Sequence, residues 1–404
     1  MTSRSVKLHA PTVLDLFCGC GGISWGLKRS GFRILAGVDN DHAALETFQQ
    51  NFPEARAFNR DLCSEQLDAL PKELELVSGD LDVLVGGPPC QGFSKNVPRS
   101  GRYIDDPKNL LVRSFMRAVD LFRPKVVLME NVAEMANAFG GAFRDELLCW
   151  LDQHGYKADY DVHNVAEYGV PQRRRRVVFL ANRIGVPVFI PARQCRVALD
   201  EGTHMRSKLI NGAVSVWDAI GDLAPILGPK GRPNGYVSPP FSDFQRMMRS
   251  QNAPLTDHEE RRLRPTQQAR YNSLNPGEGL KELPDHLRPA SGYSGAYGRL
   301  TNEMIAPTIT RWVFHPGSGR FGHPVERRII TIREAARFQS FSDDFLFSGT
   351  NQQKSWQIGN AVPPMLVEAL APIMRCFLEG NLDEQARLRG VQQLSLQGLV
   401  ADRL

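Results

Sequence analysis

Thr12-Val13-Leu14-Asp15-Leu16-Phe17-Cys18-Gly19-Cys20-Gly21-Gly22 decides the fold. An apolar run of strand length enters a turn with three glycines, and a helical pattern follows to about Ser30. Glycine lets a backbone approach a ligand closely, but a tight structural turn explains the same residues about as well. The next apolar run, 33–38, ends at Asp39, where a carboxylate can accept hydrogen bonds from both hydroxyls of a ribose. Asp61 follows another short apolar stretch and is placed to face an adenine amino group. The glycine spacing is not that of a dinucleotide fold, and no phosphate-binding lysine accompanies it. The pattern suits an adenosine-containing cofactor without a phosphate chain.

Outward from this unit, short strands alternate with helices. The apolar pattern predicts helices at 41–51, 109–122 and 143–154, and strands at 81–85 and 126–129, the last ending at Glu130. Two further strands, 156–163 and 176–181, suggest a hairpin. Such alternation predicts an α/β fold with a doubly wound, mostly parallel sheet. Near Arg183 glycine and proline become frequent and helical periodicity fades until about Ile305, with short helices expected at 217–223 and 259–271. Regular pattern returns at 331–339, with Thr331 as N-cap and Glu334 three residues on. A last helix at 364–378 is expected to pack back on the first domain. The predicted organisation is a catalytic domain at 11–182, a smaller irregular domain at 183–300, a C-terminal segment at 301–380 and a polar tail at 381–404.

The 404 residues carry a net charge of +5. Residues 183–300 hold 16 Lys+Arg against 11 Asp+Glu, so the whole excess lies there. That points modestly to a polyanion, although a solvated basic face gives the same count. Arg261, Arg262, Arg264, Arg270 and Arg299 are its candidate base or phosphate contacts. Seven scattered cysteines form no CxxC pair, which argues against zinc and for free thiols in a reducing cytosol. The first ten residues lack a signal-peptide core, and no uninterrupted apolar run approaches a membrane span.

Four motifs carry chemistry. Gly86-Gly87-Pro88-Pro89-Cys90-Gln91-Gly92-Phe93-Ser94 holds a thiol in a loop after a buried strand, behind two prolines that restrict the backbone. Met129-Glu130-Asn131-Val132 places a carboxylate at a strand end beside it, able to donate a proton if apolar surroundings raise its pKa. Gln172-Arg173-Arg174-Arg175-Arg176 enters a strand, so Arg174 and Arg176 point one way and Arg173 and Arg175 the other. Gln357-Ile358-Gly359-Asn360-Ala361-Val362-Pro363-Pro364 reads as a loop with a helix start.

In this order the motifs resemble the DNA cytosine-5 methyltransferase family, from about Val13 to Leu370, with the variable region at 183–300 interrupting. Arg328 to Phe345, with Arg333, Glu334, Arg337 and Gln339, is similar to the family's core helix. Asn40 stands where many members carry a bulky apolar residue, and Lys108-Asn109 replaces an Arg-Gly after Asp106. The resemblance implies a Rossmann-like domain dependent on S-adenosylmethionine (yielding S-adenosylhomocysteine) and a smaller target-recognition domain. It places the cofactor on Asp15, Phe17, Gly19, Gly21, Gly22, Asp39, Asn40, Asp61, Leu62, Pro88, Leu111, Asn360, Ala361 and Val362. Cys90 would add as a thiolate to carbon 6 of a flipped cytosine. Glu130 would hold or protonate the ring nitrogen, Arg174 the base carbonyl or a phosphate, and Arg176 would support the site. Gln91, Ser94 and Gln172 would contact DNA. The expected enzyme is a cytoplasmic, nucleoid-associated monomer acting on double-stranded DNA within a restriction-modification or defence system. A transfer-RNA methyltransferase or a silent DNA-binding protein are the competing readings.

Overall fold

The computed structural model describes residues 10–89, 110–188, 213–226, 235–250, 254–292 and 295–380. Its centre is a seven-stranded sheet in the order β3-β2-β1-β4-β5-β7-β6. The strands are β1 Thr12–Leu16, β2 Arg33–Asp39, β3 Arg56–Asn59, β4 Val83–Gly86, β5 Val126–Val132, β6 Lys157–Asn164 and β7 Arg175–Asn182. β1 to β5 pair in parallel, and β7 joins β5 and β6 antiparallel, the hairpin expected from sequence. The helices in chain order are α1 Gly22–Arg29, α2 His42–Asn51, α3 Gln66–Glu73, α4 Leu110–Phe122, α5 Ala142–Gln153, α6 Val216–Ile220, α7 Asp243–Met248, α8 Pro265–Ser273, α9 Ile332–Phe338, α10 Asn351–Asn360 and α11 Pro364–Glu379.

Strand alternation sorts the core into two layers. Val13, Val83, Val85, Val126, Leu128, Val178 and Leu180 face one side, shared with residues of α1, α2 and α11. Leu14, Leu16, Leu84, Val127, Met129 and Phe179 face the other, shared with residues of α3, α4 and α5. Both faces are covered, which explains why the parallel strands read as continuous apolar runs. The chain order reverses at β1, flanked by β2 and β4, so a ligand crevice is expected at the carboxyl ends of these strands.

Five elements depart from the sequence reading. β3, α3, α7 and α10 have short or weakly periodic patterns, and neither their full extent nor their type was legible. β5 runs on through Val132, because β7 supplies antiparallel partners: Glu130 opposes Val178 and Val132 opposes Arg176. Glu130 therefore lies inside the strand rather than at its end. Capping at α9 is as expected, with Thr331 and Glu334 forming a reciprocal capping box.

The boundary expected at residue 300 falls inside a packed lobe. Val216, Ile220, Phe244, Met248 and Tyr271 share one core with Ile329, Ile332, Phe338 and Phe341. Leu300 N donates to Gly322 O at 2.8 Å. Arg299, a candidate nucleic-acid contact, is buried instead, its guanidinium donating to the carbonyls of Leu274, His323, Pro324, Val325 and Glu326. Arg270 is similarly occupied, by Leu287 O and the Tyr297 hydroxyl. The described part of 183–300 holds short helices and isolated bridges, consistent with its irregular texture.

The last helix, α11, lies beside α1, where Gly26 lets the two backbones meet: a Cβ there would lie 2.6 Å from Pro364 O. The span 351–379 passes for a membrane helix by length and composition, but 83% of its most apolar window is buried within the fold.

Candidate active site

The carboxyl end of β1 opens into a left-handed turn. Phe17 and Gly19 take φ of 57° and 53°, and a Cβ at Gly19 would meet nothing within 4 Å. Gly21, at φ 95°, continues the left-handed backbone, and both it and Gly22 are also pressed by their neighbours. A Cβ at Gly21 would lie 2.5 Å from the Phe52 ring, and one at Gly22 would lie 2.4 Å from Val362 O. Asp39 fixes the turn from the end of β2, its carboxylate accepting from Gly19 N at 2.8 Å and Asp41 N at 2.9 Å. Asp15 is fully buried beneath, with Oδ2 accepting from the Ser24 hydroxyl at 2.6 Å and Oδ1 without a partner. Burial pushes its pKa up to about 7, against the lowering effect of the Ser24 hydrogen bonds. Burial also raises Asp39. Asn40 and Asp61 are exposed at the neighbouring strand ends, while Leu62 is buried. Leu111 is half-buried in the first turn of α4.

Across the crevice, Glu130 follows Val126 and Leu128 on the α11 side of the sheet, and Arg174 and Arg176 keep step with Val178 on that side. The predicted alternation holds: Arg173 and Arg175 are exposed, whereas Arg174 is buried and Arg176 half-buried. Arg176 Nε stands 2.7 Å from Glu130 Oε1, a close ion pair whose N–H is not aligned for a hydrogen bond. Burial raises the Glu130 pKa, with Arg176 and then Arg174 opposing it. Asn131 Nδ2 donates to Pro88 O at 2.9 Å and ties the Pro-Pro segment to β5. A Cβ at Gly87 would lie 3.3 Å from Glu130 Oε2 and 3.9 Å from Val362. The loop leading to Cys90 thus starts beside the buried carboxylate. Cys90, Gln91 and Ser94 lie outside the described residues.

Two expected roles change. Arg174 was assigned to the base or a phosphate, but its Nη atoms donate to Ile309 O at 2.8 Å, Gly359 O at 3.0 Å and Ala361 O at 3.2 Å. The arginine beside Glu130 is Arg176. Gln172 was assigned to DNA but is fully buried. Its amide accepts from Ile309 N and donates to Phe338 O and Gln339 Oε1. Gln339 Nε2 in turn donates to Ile358 O at 2.6 Å and Ala361 O at 3.3 Å. These side chains clasp the end of α10, where Asn360 is exposed and Ala361-Val362 reach Gly22 and Gly87. Sequence reasoning assigned no role to Asn131 or Gln339, although both lie within quoted motifs. Their partners are backbone carbonyls 43 and 19 residues away, which leave no local signal.

The C-5 cytosine-specific DNA methylase family model matches residues 11–375. The chain belongs to this family. It is a DNA (cytosine-5) methyltransferase with a Rossmann-like fold. The curated relatives include the type II methyltransferase M.AgeI of Thalassovita gelatinovora, 30% identical over 90% of this chain and 98% of that protein. M1.HphI of Haemophilus parahaemolyticus is 32% identical over 89% and 85%. A solved DNA modification methyltransferase encoded within an Escherichia coli prophage aligns at a TM-score of 0.70 and 25% identity, covering 92% of this chain and all of that one. DNMT2 of Spodoptera frugiperda, at 17% identity and a TM-score of 0.55, shares the fold.

Proposed function

We propose that this enzyme methylates carbon 5 of a flipped cytosine within specific double-stranded DNA sites, using Cys90 as a transient nucleophile at carbon 6. The observation that carries the proposal is Glu130: a buried carboxyl with a raised pKa, flanked by Arg176 and adjoining the start of the Cys90 loop. A carboxyl with a raised pKa is better able to give a proton to a ring nitrogen and so draw electrons from carbon 6. Thiolate attack there forms an S–C bond and breaks the ring's aromaticity, which makes carbon 5 nucleophilic. Once carbon 5 carries the methyl group, loss of its proton and expulsion of the thiolate, with the ring-nitrogen proton returned to Glu130, would restore the ring.

The crevice fits S-adenosylmethionine. Asp15 offers an unpartnered buried oxygen, Gly19 leaves room for close approach and Asp39 stands at the ribose-binding position of such folds. Phe17, Gly21, Gly22, Asn40, Asp61, Leu62, Pro88, Leu111, Asn360, Ala361 and Val362 complete the proposed set. Bound there, the cofactor supplies an electrophilic methyl group on a sulfonium. The relatives named type II methyltransferases support a role in restriction-modification.

Bisulfite sequencing of DNA from cells expressing the chain tests this directly. Methylated cytosines confined to one short sequence, and absent with Cys90→Ser, are expected. Label incorporated into transfer RNA but not DNA, or wild-type transfer by Cys90→Ser, would overturn the assignment.

A further inference from the structure

The surface beside the site carries a feature that the catalytic scheme does not use. Trp312 and Trp356 are 43% and 37% exposed, and their rings meet edge-to-face at 6.0 Å. Trp312 lies on the loop before the 3-10 turn Pro316–Ser318, and Trp356 on α10, one turn before Asn360. The Arg311 guanidinium stacks 5.0 Å from the Trp312 ring, and its side chain is exposed. Arg311 has no carboxylate partner among the described residues. Water-facing tryptophans in contact with each other leave contiguous apolar surface exposed, which marks interaction sites.

The backbone beneath is held firmly and close to the catalytic carboxyl. Ser355 Oγ donates to Arg311 O at 2.8 Å, and Gly359 packs directly on the Thr310-Arg311 peptide. Thr308 Oγ1 donates to Arg173 O at 2.6 Å, and Arg174, whose charge is felt by Glu130, holds Ile309 O. One guanidinium therefore separates this loop from the active-site electrostatics. Arg173, exposed at the head of the arginine run, adds positive charge on the same tether.

We propose that Arg311, Trp312 and Trp356 form a platform for the DNA strand next to the flipped cytosine, Arg311 taking a phosphate and the indoles packing on sugar or unstacked base. This rests on the DNA substrate proposed above. The occupant follows from charge and chemistry: rigid aromatic faces beside an arginine with no carboxylate partner among the described residues suit nucleic acid, whose polyanionic backbone alternates with flat rings. The platform is built on backbone clasped to the catalytic segment, so it would set the strand's position relative to Glu130 rather than read sequence.

The test uses the full chain, a fluorescein-labelled mixed-sequence duplex and a salt series, with S-adenosylhomocysteine binding measured in parallel by calorimetry. Trp312→Ala with Trp356→Ala is expected to weaken duplex binding about tenfold, within the range for lost stacking. Arg311→Ala should lower the slope of log affinity against log salt by about 1. Addition of duplex should quench a tryptophan signal in the wild type that the double variant lacks. S-adenosylhomocysteine affinity should stay unchanged, which shows that the variants are folded. Wild-type affinity and salt slope in the variants would overturn the platform. So would a self-association in sedimentation that the tryptophan substitutions abolish, because a second copy would then be the occupant. Failure of the wild type to bind duplex at all would sink the DNA reading itself.

Discussion

Glu130 and Asp15 are carboxyls whose burial raises their pKa values, and they differ in what stands beside them. Glu130 has Arg176 within ion-pair distance and Gly87, three residues before Cys90, beside it. Replacing it with Gln preserves shape but removes the transferable proton. Glu130→Gln should therefore lower kcat by 10²-fold or more, within the typical contribution of a positioned acid. DNA affinity should remain near that of the wild type, and single-turnover methylation alongside anisotropy checks both. Asp15 has the Ser24 hydroxyl on one oxygen, no hydrogen-bond partner for the other among the described residues, and the Asp39 charge raising it further. Its folded pKa of about 7 lies above the ordinary aspartate value of about 3.8. Between those values the folded state binds more protons than the unfolded state, so its contribution to stability falls as pH rises from about 4 to about 7. Asp15→Asn should flatten that fall in the ligand-free protein and raise its denaturation midpoint at pH 8. Urea titrations at pH 5 and pH 8 measure this, and an unchanged pH dependence would refute the assignment.

At the scale of elements, the site depends on segments far apart in sequence being clamped together. The chain of amides from Ile309 N through Gln172 and Gln339 to Ile358 and Ala361 runs parallel to the Arg174 fork. Both hold Ala361-Val362 between the cofactor turn and Gly87. Removing the Gln339 amide leaves buried partners unsatisfied, at a cost of about 1–3 kcal/mol. Gln339→Ala should raise the KM for S-adenosylmethionine more than it changes duplex affinity, as steady-state kinetics against each substrate would reveal. The α1–α11 contact is equally close. Gly26→Ala inserts a methyl against Pro364 O and Val367, and overpacking of this kind costs about 1–3 kcal/mol. Thermal denaturation should show the loss.

At the scale of the whole molecule, buried ion pairs join the irregular lobe to helix α9. Arg337 is fully buried, with Asp222 Oδ1 at 2.5 Å and Asp343 Oδ2 at 2.7 Å. Arg249 also pairs with Asp222, at 2.7 Å, and stacks on Tyr236, whose hydroxyl donates to Asp343. Arg337→Met would remove a guanidinium from both buried carboxylates, leaving Asp222 to Arg249 and Asp343 to the Tyr236 hydroxyl, and breaking such buried pairs typically costs about 3–5 kcal/mol. The variant should unfold earlier in urea, whereas Arg262→Met, on an exposed arginine of the same segment, should not.

Most of the fold was legible because strands and helices write their periods locally: β1, β2, β4, the β6–β7 hairpin and the N-cap of α9 follow from alternation and capping residues. The alternation of Arg173 to Arg176 was legible for the same reason. By itself the sequence determined the reaction class and the order of its motifs. Only the tertiary structure decided which arginine stands beside Glu130, that Gln172 and Arg299 serve the interior, and that residues on either side of position 300 share one core. The physical reason is that a guanidinium or amide is satisfied by whichever carbonyls the packed chain brings to it. Those carbonyls belong to the backbone, which has the same chemistry at every position and so leaves no trace in the sequence.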